Sequence, residues 1–116
     1  SSITSASKIS ARVSSMLRIA ELMVTRIECR YNKVLIYNAN NLFQTWIYTL
    51  IKISLPYLNR KESLVAYEKC RSIFRIICIS TLKQNIYRPK KILRDFHNLL
   101  PVKFGYEWVR FWCKRV

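Results

Sequence analysis

Along the first thirty residues, Ile9, Val13, Met16, Leu17, Ala20, Val24 and Ile27 recur at three- and four-residue steps, while Arg12, Ser15 and Arg26 fall off that line. Such a stripe is one face of an α-helix. It predicts an amphipathic helix over residues 8–30, with residues 1–8 as an N-terminal arm. Asn38, Asn40 and Asn41 then interrupt the pattern. Short amide side chains bond their own backbone and favour turns and N-caps over helix interiors, so a second helix is expected to start there. Its apolar pairs, Leu42 with Phe43, Trp46 with Ile47 and Leu50 with Ile51, return every four residues until Pro56. The residue before proline avoids the helical region, which sets the end. A helix apolar nearly all round belongs in the centre of the fold.

Asn59 and Glu62 stand at capping-box spacing and open a third helix. Ala66, Cys70, Ile73, Phe74 and Ile77 supply its apolar face, with Glu68, Lys69, Arg71 and Arg75 directed elsewhere. The run 73–79 is β-branched enough to suggest a strand, but length and capping favour helix. Pro89 suits the first turn of a short fourth helix, where its missing N–H would be unpaired anyway. Ile92, Leu93, Phe96, Leu99 and Leu100 give that helix a face to bury, and Pro101 stops it. Residues 102–116 follow as a basic, aromatic tail.

The chain has a single glycine, Gly105, and three prolines in 116 residues. Tight hairpins usually need glycine or Asn-Gly turns, so the expected class is all-α: one small domain, an irregular bundle of four to five helices. One glycine also cannot write a Walker A loop or a dinucleotide fingerprint. The uncharged stretch 34–51 is long enough to raise a membrane span. Asn38, Asn40, Asn41 and Gln44 within it argue against one, because buried amides cost several kcal/mol without partners.

Charge changes the picture most. Lys and Arg outnumber Asp and Glu by 21 to 6, a net charge of +15, and such self-repulsion is normally tolerated where a polyanion neutralises it. Residues 83–116 hold nine cations (Lys83, Arg88, Lys90, Lys91, Arg94, Lys103, Arg110, Lys114 and Arg115) against Asp95 and Glu107. These nine, with Arg12 and Arg18 of the first helix, are the expected anion contacts. Lys and Arg bind phosphate oxygens and release condensed counterions. Trp46, Trp108 and Trp112 are expected as core or subunit-interface anchors.

Catalysis has little to draw on. The acids are few and scattered, and His97 is the sole histidine, whereas general acid–base chemistry needs such groups close together. The cysteines, Cys29, Cys70, Cys78 and Cys113, form no C-x-x-C pair, so reduced thiols inside a cell are expected, with no metal or cofactor. The first twenty residues, rich in Ser with Lys8, Arg12 and Arg18 but no acid, have the composition of a mitochondrial transit peptide. The expectation is a non-enzymatic structural subunit of a large ribonucleoprotein, a mitochondrial ribosome, held to rRNA phosphates by Lys and Arg and to neighbouring protein subunits by apolar faces. Two alternatives are an accessory subunit of a mitochondrial inner-membrane complex touching anionic lipid, and a matrix-type protein that binds nucleic acid and membranes by charge.

Overall fold

Three long helices carry the core in a computed structural model that describes residues 2–28, 33–82 and 88–113. They are α1 (Ser2–Glu28), α2 (Lys33–Ser54) and α3 (Arg60–Leu82). A shorter C-terminal layer follows: α4 (Pro89–Asp95), a 3₁₀ turn (Phe96–Leu99) and α5 (Val102–Cys113). No strand occurs among the described residues, so the all-α expectation holds, the run 73–79 included. No helix among them is long and apolar enough to cross a membrane.

Central α2 touches α1, α3 and α5, and packs most extensively on α3. Phe43 and Phe74 stack there at a ring separation of 4.0 Å, nearly parallel, with Ile47, Leu50, Ile51 and Tyr67 fully buried around them. The stripe of α1 lies as its spacing predicts. Val13, Met16 and Ala20 are buried while Arg12, Ser15 and Arg26 are exposed. The longest dimension, 46 Å, follows from a 27-residue helix rising about 1.5 Å per residue.

Local signals set most boundaries. The Asn59 side-chain carbonyl accepts the Glu62 backbone N–H at 2.8 Å, and its amide donates to the Glu62 carboxylate at 2.9 Å, which starts α3 at Arg60. Pro56 lies in the turn that ends α2, and Pro89 stands in the first turn of α4.

Three expectations are corrected. The residues read as an N-terminal arm continue α1 back to Ser2. Asn38, Asn40 and Asn41 lie inside α2, which starts at Lys33; tertiary partners for Asn40 and Asn41 override their turn preference. The tail is largely α5, which buries Gly105, Tyr106, Val109 and Cys113.

Candidate functional site

Two polar features could bear function: a ladder of buried polar side chains and the basic outer surface. The ladder begins at Arg71 on α3, whose Nη1 donates to the Tyr67 hydroxyl at 3.4 Å and to the His97 carbonyl at 3.1 Å. The Tyr67 hydroxyl meets His97 Nδ1 at 2.8 Å, and His97 Nε2 meets Gln44 Oε1 at 2.7 Å. Gln44 donates to Asn40 Oδ1 at 3.3 Å, and Asn40 donates to Asp95 Oδ2 at 3.1 Å. Arg94 Nε closes on Asp95 Oδ1 at 2.7 Å.

Those bonds set the tautomer of a neutral His97. Gln44 spends its N–H₂ on Asn40, so its oxygen accepts from Nε2–H, and Nδ1 accepts from Tyr67. The imidazole is neutral, its pKa lowered to about 3 by burial and then by the nearby Arg71 and Arg94 charges. Each link from Arg71 to Asp95 then has its donor on the Arg71 side, so bond dipoles run in one sense from cation to carboxylate. Aligned bonds of this kind polarise one another.

The ladder joins α2, α3 and the C-terminal layer across the core. Tyr48 adds a bond from its hydroxyl to the Arg94 carbonyl at 2.8 Å, and burial followed by the Asp95 charge raises its pKa. Asn40, Gln44, Tyr67, Asp95 and His97 are all fully buried, and none of them lines the surface grooves at α1–α3, α3–α5 or α4–α5. Sealed from solvent, the ladder is placed to hold the fold.

Gly105 explains how α5 comes so close to it. A Cβ at that position would collide with the Tyr67 hydroxyl, and would lie 2.6 Å from Arg71 Nη1 and 2.7 Å from the His97 carbonyl oxygen. The one glycine of the chain thus sits inside a helix, where glycine costs about 1 kcal/mol relative to alanine, because any side chain would strike the ladder.

The outer surface is overwhelmingly basic. Among the described side chains α1 exposes Lys8, Arg12, Arg18 and Arg26, and α2 exposes Lys52. Further along, α3 exposes Arg60, Lys61, Lys69 and Arg75, while Arg88, Lys90 and Lys103 follow at the C-terminal layer. Against these twelve, the exposed acids are Glu21, Glu62 and Glu68.

Of the expected anion contacts, Arg12, Arg18, Arg88, Lys90 and Lys103 are exposed, and Lys91 is half-buried. Lys83, Lys114 and Arg115 lie outside the described residues. Arg94 departs from the expectation: it is spent internally on Asp95 and on the Asn41 side-chain oxygen at 3.0 Å. Arg110, half-buried, faces Glu107 at 3.8 Å, and Glu107 also pairs with Arg60. Sequence reasoning missed that Arg71, expected to point away from the apolar face of α3, is buried against Tyr67 and the His97 carbonyl.

No family model, curated protein or solved structure matches this chain. The expected aromatic anchors are all half-buried. Trp46 is pinned internally, its indole N–H donating to the Met16 carbonyl at 3.1 Å. Trp108 donates to the Leu93 carbonyl at 2.8 Å and lies in a row of rings, Phe96, Trp108, Trp112 and Phe111, with centroids 5.0 to 6.1 Å apart. Next to that row is a shallow notch lined by Tyr48, Lys90, Leu93, Arg94 and Trp112. A separate groove of about 450 Å³ opens between the starts of α3 and α5.

Proposed function

We propose that the protein is a non-catalytic docking module that binds the phosphate backbone of RNA through its basic surface, as a structural subunit of a larger ribonucleoprotein. The observation that carries this reading is the imbalance among the described exposed side chains, twelve cations against three acids. Folding does not relieve the charge; it concentrates it outward, where an anion can reach it. Counterion release by such a surface favours nucleic acid without reading its sequence. Among such assemblies a mitochondrial ribosome is the first instance to test.

The test is equilibrium binding of the purified chain to RNA across a salt series. The logarithm of affinity should fall linearly with the logarithm of salt, with a slope of about −0.7 per phosphate engaged on a single strand. A slope near zero would remove the reading.

A second reading is favoured by one specific feature, the half-exposed aromatic row beside Lys90. Phe111 and Leu93 are 51% and 44% exposed at that edge, and aromatics bordered by cations suit the headgroup region of an anionic bilayer. Flotation with cardiolipin vesicles, run beside the RNA series, separates the two. Vesicle binding with no salt-dependent RNA binding would put lipid first.

A further inference from the structure

The groove at the start of α3 and α5 combines two chemistries that the rest of the basic surface keeps apart. Phe104 stands at its edge 66% exposed, the most exposed large apolar side chain among the described residues. Arg60, Lys61 and Lys103 line the same groove, with buried Tyr106 and half-buried Leu64 forming its apolar wall. Glu107 also lines it, but its carboxylate is neutralised by Arg60 and Arg110 together. Both helices begin here, so the partial positive charge of two helix starts adds to that of the side chains. The volume, about 450 Å³, lies within the range of small-ligand sites, roughly 300–1,000 Å³.

We infer that this groove takes one unpaired nucleotide of a single-stranded RNA, its base stacked on Phe104 and its phosphate held by Lys61 and Lys103. The inference rests on the RNA reading above and adds to it a preference for single strands. An exposed phenyl ring gains little from a duplex, whose bases are already stacked, but it offers a stacking face to a base that is splayed out. A purely acidic peptide would use Lys61 and Lys103 and leave the ring in water. The nucleotide uses both.

The full chain is titrated by fluorescence anisotropy with a labelled oligouridylate of about eight nucleotides, an RNA duplex of the same length and a polyglutamate. Phe104→Ala is expected to weaken the single strand by about 10- to 100-fold and to leave the duplex, the polyglutamate and the salt slope unchanged. Phe104→Trp should restore binding. Lys61→Ala with Lys103→Ala should flatten the single-strand salt slope by about 0.7, the share of the one phosphate they hold, and Glu107→Gln should tighten binding by releasing Arg60. Because Phe104 is largely exposed, its variants should melt with the parent chain, which circular dichroism checks.

If Phe104→Ala binds the single strand as the parent does, or weakens single strand, duplex and polyglutamate alike, the groove is not a nucleotide site. In both cases a steep salt slope in the parent leaves the broader RNA reading standing. A parent chain with no salt-dependent RNA binding removes that reading, and this inference with it.

Discussion

Replacing Gly105 with alanine tests the packing of α5 on the buried ladder most directly. On an open helix the change would stabilise by about 1 kcal/mol, and Gly105 has no left-handed backbone conformation that would object to a side chain. The opposing terms come from what the new methyl would meet. The Tyr67 hydroxyl, Arg71 Nη1 and the His97 carbonyl converge on it, and the last is backbone, which cannot swing aside. Overpacking a filled core costs about 1–3 kcal/mol, and displacing Tyr67 or Arg71 leaves buried polar groups unpaired for about 1–3 kcal/mol more. The balance is a destabilisation of about 3 kcal/mol, a large part of the 5–15 kcal/mol typical of a domain. Urea unfolding followed by tryptophan fluorescence reads it as a lowered midpoint with an unchanged slope. Tyr67→Phe removes one of the colliding atoms, so the double variant should be less destabilised than the sum of the singles. A Gly105→Ala chain as stable as the parent would refute the close approach of α5 to Tyr67, Arg71 and His97.

Other outcomes follow from the same residues. His97 binds its proton with a pKa near 3 in the fold and about 6.5 in the unfolded chain. The unfolded state therefore holds more protons between those values, and stability present above pH 6.5 should fall by about 2 kcal/mol between pH 7 and pH 5. His97→Gln should flatten that stretch of the urea-midpoint profile; an unaltered profile would mean another group sets it. Arg94→Ala removes the direct charge partner of fully buried Asp95 and should cost about 3 kcal/mol, so lost RNA binding in that variant should track unfolding; a stable, folded variant would show that Asp95 tolerates the loss. Burial pushes the Cys70 thiol up to about 12, so peptide mapping after iodoacetamide at pH 8 should find Cys70 unlabelled in the native chain and labelled in urea; native labelling would show that α3 opens.

Where the chain spoke locally, the fold was legible. The stripe from Ile9 to Val24 and the pair Asn59 and Glu62 needed only neighbours three or four residues away; the stripe buries the face its spacing predicts and the pair starts α3, while the six residues that extend α1 back to Ser2 carried no such signal. What stayed hidden depends on partners far along the chain. Asn40 reads as a turn former until Asp95, 55 residues later, is found accepting its amide. Gln44 and His97, 53 residues apart, make one bond that also fixes a tautomer. Hydrophobic periodicity reports which side of a helix avoids water; it cannot tell a solvated amide from one with a buried partner. Arg71 was lost for the same reason, and the role of Gly105 stayed hidden because a close approach leaves no mark on the residues beside it. The candidate groove was legible in part: Lys103 and Phe104 are adjacent in sequence, but Arg60 and Lys61 join them only through the packing of α3 beside α5.

The use made of the few acids links stability to the proposed docking. Asp95 is sunk into the ladder, Glu62 is bonded to the Asn59 cap, and Glu107 is shared between two arginines. Three of the chain's six acids are thus already paired within the structure, and little negative charge is left to screen the exposed Lys and Arg side chains. Self-repulsion on such a surface opposes the compact state. The ladder opposes it from within, since its bonds tie α2, α3 and the C-terminal layer together at points an apolar core alone would leave free to slide. An anion that binds the folded surface and not the unfolded chain adds stability in proportion to the logarithm of its concentration over its dissociation constant. Ladder and ligand would then act on the same equilibrium, one from the core by joining the helices and the other from the surface by cancelling the charge that pushes them apart.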